Sequence, residues 1–240
     1  MVGGLKNGVQ RFSTGAVRTT VTLLLLASAA LLLPSLTYYL HTPARPHETA
    51  LSIAVALVLL VIFALSLPAS LRRDKTSQAA APAHAEQPRW PLWLAVGVLT
   101  AASVAAALVS DWFVTALTPA IETLHLSQTF AGLVVVAIAG NAIENFVGIQ
   151  LAYRNQAEYT LSVVLNSPLQ VALVLAPALV LLSLLTATTL TLVFAPILIA
   201  AIAITVLAIA IIALDGDSNW LEGATLVALY LIIAATVWWG

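Results

Sequence analysis

One carboxylate lies where an apolar chain should not carry one. Glu144 falls inside the hydrophobic run 127–153, within the polar break Gly140-Asn141-Ala142-Ile143-Glu144-Asn145. A charge near the centre of a membrane-spanning helix costs on the order of 2.5 kcal/mol or more, so such groups face a cavity and mark an ion or proton path. Arg154, ten residues on, ends the run. At ~1.5 Å per residue this puts Glu144 ~15 Å deep, near the middle of a bilayer. A second interruption, Asn166-Ser167-Pro168-Leu169-Gln170, lies at a similar remove beyond the same turn. Two consecutive antiparallel helices would bring both breaks to one depth. Pro168 has no N–H and would free a carbonyl one turn back, while Gly140 would let a neighbouring backbone approach closely. Freed carbonyls, side-chain amides, a hydroxyl and one carboxylate make an oxygen-rich set suited to a hard cation such as Ca²⁺ or Na⁺. Broken helices at the midplane are also the sequence pointer to a transporter site. The plainer alternative is interhelical hydrogen-bonding around a protonated, structural Glu144. The clustering of Asn141, Ser167 and Gln170 with that carboxylate favours the cation.

The elements that must position these groups follow from composition. Hydrophobic residues make up 61% of the chain and charged ones 8%, with a mean hydropathy of +1.04, against about 45–50% and 25% in soluble domains. Apolar runs near 16–40, 48–70, 91–110, 127–153, 157–185, 188–214 and 219–239 predict an all-α polytopic membrane protein of about seven helices. Their length excludes the ~10-residue alternating segments of a transmembrane barrel. The first run exceeds the ~7–15-residue core of a signal peptide. Residues 71–90, opening Leu71-Arg72-Arg73-Asp74-Lys75 and then rich in Ala, Pro, Ser and Gln, read as a flexible linker between two helices (1–70) and five (91–240).

With seven spans, Lys6, Arg11, Arg18, Arg72, Arg73, Lys75, Arg89 and Arg154 share one side, and Arg45 alone takes the other. That asymmetry predicts a cytoplasmic N-terminus and an external C-terminus, as in a cell-membrane protein. The chain has no cysteine, so thiolate chemistry is excluded. No phosphate-binding, dinucleotide or zinc-protease motif occurs, and nothing points to a nucleic acid or a bound cofactor. Glu144 has no paired carboxylate or nucleophile at enzyme-like spacing, so an intramembrane enzyme finds no support.

At these residues the chain resembles a known family. Gly140-Asn141-Ala142-Ile143-Glu144, the preceding Leu126-Ser127-Gln128-Thr129-Phe130-Ala131-Gly132-Leu133, and Ser167-Pro168-Leu169-Gln170-Val171-Ala172 are similar to the second repeat of calcium/proton exchangers, within the sodium/calcium exchanger superfamily. Gly3-Gly4-Leu5 and Asp217-Ser218-Asn219-Trp220-Leu221-Glu222-Gly223 extend the similarity over most of the chain. The resemblance implies secondary antiport of Ca²⁺ or a related cation against protons. Glu144 would then be the shared metal and proton ligand, and Asn141, Ser167 and Gln170 oxygen donors around it. Gly140, Asn145, Asn166, Pro168 and Asp111 would be further transport-site positions. A buried carboxylate that prefers its protonated form can exchange that proton for a metal.

Three departures qualify the match. Asn145 stands where the family commonly has histidine, so a proton-handling group is missing. Asn166-Ser167-Pro168 replaces a Gly-Ser-Ser/Thr type of break. Finally, family members carry two inverted five-helix repeats, each with a glutamate motif, whereas no second Gly-Asn-x-x-Glu occurs in this chain. The expectation is the C-terminal part of an exchanger, working with an N-terminal half or second subunit and surrounded by membrane lipid. The alternative is a transport-inactive membrane subunit or fragment. Asp111 and Glu122, with His125, are expected in an external segment after the third span, as solvated charges rather than a cation vestibule. Asn219 and Glu222 have the spacing of a capping box.

Overall fold

The computed structural model describes residues 1–78 and 90–239. The chain is helical almost throughout. A short helix α1 (Val2–Asn7) and a two-residue strand β1 (Gln10–Arg11) lead into α2 (Thr14–Tyr39) and α3 (Glu48–Gln78). Then come α4 (Leu92–Thr123), α5 (Gln128–Gly140), α6 (Ala142–Tyr153), α7 (Ala157–Ser183) and α8 (Pro196–Ala213). Strand β2 (Asp217–Ser218) pairs antiparallel with β1, and α9 (Trp220–Thr236) closes the fold.

Five of these helices, α2, α3, α4, α7 and α8, are long and apolar enough to cross a membrane, and the bent pair α5–α6 makes a sixth. The last apolar segment forms a 17-residue helix, at the short end of the ~17–25 residues that span a bilayer.

The core is a four-helix arrangement. Leu24 and Ala27 of α2, Leu59 of α3, Leu169, Ala172 and Leu173 of α7, and Val206 of α8 form its largest buried cluster. Helices from both sides of residues 79–89 therefore share one interior. Helix α7 is central, with Leu165, Leu169, Leu173 and Val180 buried along one side. Helix α6 leans on α7 at Gly148, where a methyl would come within 3.2 Å of Val164 Cγ2. Replacing Gly148 by leucine should force the helices apart at a cost of about 1–3 kcal/mol. Thermal unfolding in detergent checks this, and an unchanged midpoint would mean the contact is slack.

Three segments differ from expectation. Residues 188–195, apolar enough to read as the start of a helix, are not helical, and α8 begins only at Pro196. Two buried serines hold them. Ser35 Oγ donates to the Leu192 carbonyl at 3.0 Å and accepts the Phe194 N–H at 2.8 Å, while Ser52 Oγ accepts the Leu192 N–H at 3.0 Å. Helix α4 runs thirteen residues past its expected end at 110, so Asp111 and Glu122 lie on a helix, both exposed, rather than in a loop. Helix α3 continues to Gln78, eight residues into the expected linker; residues 79–89, with Arg89, lie outside the described part of the chain.

The two ends of the bundle are well defined. Segment 1–13, the Arg154 turn and the turn before α9 gather at one end, through β1–β2 and the contacts of α1 with α6 and α9. At the other, Ser127 bonds the backbone of Val237 and Trp238, and the Phe130 and Trp238 rings meet edge-on at 4.6 Å.

Helix α4 stands apart. None of its residues is buried, and its polar residues Thr100, Asp111, Thr115, Thr118 and Glu122 recur at helical spacing along one side.

Candidate transport site

The break before Glu144 is real and sharp. Helices α5 and α6 meet at 61°. Asn141 forms the joint, with φ −105° and ψ 20°. Its N–H closes α5 on the Ala137 and Ala139 carbonyls, and its own carbonyl accepts the Asn145 N–H at 2.9 Å. At such a joint the last carbonyls of the first helix lose their usual partners one turn on. The Asn141 side chain is oriented by a second bond, since Nδ2 donates to the Ala137 carbonyl at 3.0 Å. That turns Oδ1 outward, where Ser167 Oγ of α7 reaches it at 3.4 Å.

The two polar segments thus meet across α6 and α7, with Asn141 and Ser167 as the bonded pair. Glu144 occupies the first turn of α6, half-buried, and its side chain makes no hydrogen bond or ion pair among the described residues. Asn145 is exposed one residue on. Asn166 donates to Ser162 Oγ at 3.1 Å along its own helix, and Gln170 continues that exposed row one turn further.

Two local readings are corrected. Helix α7 is not broken at Pro168: it stays α-helical through Gln170 and absorbs the imino acid before a wide π turn at Val171–Leu175. Pro168 still cannot donate to the Val164 carbonyl. Gly140 receives no close neighbour, since a methyl there would meet nothing within 4 Å, and the same holds at Gly132. Asp111, on α4, has no hydrogen bond or ion pair from its side chain among the described residues, and α4 makes no substantial contact with α6 or α7.

Sequence reasoning missed the π turns at Ala131–Val136 and Val171–Leu175, one in each helix beside the polar segments. Wide turns of this kind are frequent near functional sites. Gly132 and the Pro168–Gln170 stretch are the weak signals that accompany them.

Among the described residues no three His, Cys, Asp or Glu side chains converge on a point. What the structure brings together is the Asn141 amide and the Ser167 hydroxyl, with Glu144 three residues beyond Asn141 along the chain. Asn141, Asn145, Asn166 and Gln170 are each exposed, and Ile143 and Phe146 of α6 are 77% and 69% exposed.

Apolar helices of membrane-crossing length, one of them broken at an Asn-Glu motif, define an integral membrane protein with the architecture of an ion transporter. The chain belongs to the sodium/calcium exchanger protein family, whose model matches residues 94–239. It is 35% identical over 236 residues to the Ca²⁺/H⁺ antiporter ChaA of Bacillus subtilis, covering 97% of this chain and 67% of that one. It is 33% identical over 251 residues to the Ca²⁺/H⁺ antiporter of Aphanothece halophytica, with 97% and 67% covered. The solved structure of native YfkE superposes with a TM-score of 0.79 at 30% identity, over 99% of this chain and 68% of that one. The chain thus spans about two thirds of the length of these relatives.

Proposed function

We propose that this chain is the cation-binding C-terminal part of a Ca²⁺/H⁺ antiporter, and that it completes its site with a separate membrane segment. Glu144 exchanges Ca²⁺ for a proton, and Asn141, Ser167 and Gln170 contribute neutral oxygens. The exposed polar side chains of α6 and α7 carry this reading. In a bilayer each unpaired polar group exposed to hydrocarbon costs several kcal/mol. Asn145 and Gln170 are exposed and their side chains make no hydrogen bond among the described residues, so protein or a water-filled cavity must cover them. Ca²⁺ takes about 6–8 oxygen ligands, usually with several carboxylates. One carboxylate is too few, and a partner segment with its own glutamate supplies the rest.

The two relatives that share the Ca²⁺/H⁺ antiporter name extend a third beyond what this chain covers, enough for such a segment. The outer apolar faces meet membrane lipid. Lys6, Arg11 and Arg154 lie at one end of the bundle and Arg45 at the other, which orients the first end to the cytoplasm of a cell membrane. The C-terminus is then external.

The test is transport in proteoliposomes under an imposed pH gradient. One preparation holds the chain alone, and another holds it co-purified with a membrane segment bearing a Gly-Asn-x-x-Glu motif. Only the pair should take up Ca²⁺. Robust exchange by the chain alone would overturn the partner requirement, and a pair that neither binds nor moves Ca²⁺ would mark an inert subunit.

A further inference from the structure

Helix α6 is held in an unusual way for an element that carries the site's carboxylate. Its first end is a bare joint at Asn141, bent by 61° and with open space at Gly140. Its sides touch chiefly α7, leaving Ile143, Phe146 and Ile149 more than half exposed. Its far end, in contrast, is gripped. Gln10 Nε2 donates to the Ala152 carbonyl at 3.1 Å and to Asn155 Oδ1 at 3.2 Å. Asn7 Nδ2 donates to the carbonyls of Ala152 and Tyr153 at 3.3 and 3.4 Å. The Lys6 ammonium sits 3.3 Å from the centre of the Tyr153 ring. Final carbonyls of a helix have no partner within it, so these donors take the terminus as a handle.

The grip is anchored. Gln10 is 8% exposed, the most buried polar residue of the segment, and β1 pairs Gln10 with Ser218 and Arg11 with Asp217. Gly3 packs so closely that a methyl would collide with the Gln10 side chain and stand 2.8 Å from the Ala152 carbonyl. A methyl at Gly4 would stand 2.5 Å from the Trp220 nitrogen. Trp220 opens α9, whose start is fixed by a complete capping box between Asn219 and Glu222. The segment therefore ties the end of α6 to a rigid helix start.

We propose that Val2–Arg11 is a clasp that sets the inclination of α6, and that Gln10 is the positioning residue through which it places Glu144. Ala152 and Glu144 are eight residues apart on one helix, ~12 Å, so a swing of ~10° about the gripped end moves Glu144 by ~2 Å. A displacement of that size makes or breaks a coordination shell whose bonds are ~2.3–2.6 Å long. For its effect on transport the inference rests on Glu144 being the ion ligand; the geometry is tested without it.

Because the chain has no cysteine, a pair can be introduced cleanly: Phe146→Cys beside Glu144 and Leu221→Cys on α9, both exposed in the structure. Spin labels on the full chain in lipid nanodiscs then report the α6–α9 distance. Gln10→Glu keeps the shape of the side chain and aims an acceptor at two acceptor oxygens. It should at least double the width of the distance distribution and speed amide exchange in α6 about tenfold, the equivalent of two lost hydrogen bonds. Exchange in α2 and α8 should not change. Asn7→Ala should act in the same direction more weakly, and it serves if Gln10→Glu does not fold. An unchanged distribution, or equal acceleration in α2 and α8, overturns the clasp. In the chain assembled with its partner segment, Gln10→Glu should also lower Ca²⁺ affinity severalfold with Glu144 present and have no effect in a Glu144→Gln background; an equal loss in both backgrounds overturns the positioning role. If that assembly binds no Ca²⁺, the ion-ligand reading fails, while the label distances still decide on the clasp.

Discussion

Glu144→Gln should lower Ca²⁺ affinity at least 100-fold in the chain assembled with its partner segment, and abolish pH-driven Ca²⁺ uptake. The substitution keeps the shape of the side chain and one of its two oxygens, and removes the charge. A unit negative charge facing a divalent ion at ~2.4 Å is attracted by well over 10 kcal/mol even at an effective dielectric near 20, before desolvation is subtracted. A 100-fold loss is only about 2.7 kcal/mol of that. Among the described residues no cluster of three or more acidic, histidine or cysteine side chains surrounds it to compensate. Equilibrium binding of radioactive Ca²⁺ measures the effect. Retention of affinity within twofold would show that Glu144 is structural.

The second large effect lies far from the site. Ser35 and Ser52 are fully buried, and their hydroxyls pair the Leu192 carbonyl, the Leu192 N–H and the Phe194 N–H. Replacing both serines by alanine leaves three backbone groups unpaired in a dry interior, at about 1–3 kcal/mol each. With partial relaxation the double variant should lose about 3–5 kcal/mol, on the order of a 10 °C fall in unfolding midpoint. The two single losses should not sum to the double, because both hydroxyls bind Leu192. A double variant within 2 °C of the parent would mean that water or a changed loop path takes over, against the arrangement described.

The serines also show why some of the fold was illegible in the sequence. Residues 188–195 sit in a run apolar enough to read as helix, and what holds them out of one is contributed from 140 and more residues away. Thr188, Thr189 and Thr191 are the only local trace of that. Asp111 misled in the opposite sense. A charge after an apolar run looks like the end of a span, but α4 continues because nothing in Ser110-Asp111-Trp112 breaks a helix. Pro168 looked like a break and is tolerated, since a wide π turn just beyond it takes up the distortion. The joint at Asn141 was legible because glycine, asparagine and a carboxylate all oppose a continuous apolar helix at one point. The Arg154 turn was legible from charge. The meeting of Asn141 with Ser167 followed from those two, as equal distances from one turn. The exposure of Ile143 and Phe146 could not be read from composition, because they look like any other lipid-facing or core residues.

The shared interior has a consequence for how the protein is made. Helices α2 and α3 end at Gln78, whereas the buried partners of Leu24 and Leu59 lie on α7 and α8, which begin at Ala157 and Pro196. During synthesis at ~5–20 residues per second, this hairpin enters the membrane several seconds before these packing partners leave the ribosome. Until the later helices dock, Leu24 and Leu59 lack the buried partners that α7 and α8 give them in the folded bundle. Quality control acting in that interval sees an orphaned hairpin, and a ribosome stalled anywhere before α7 leaves one behind.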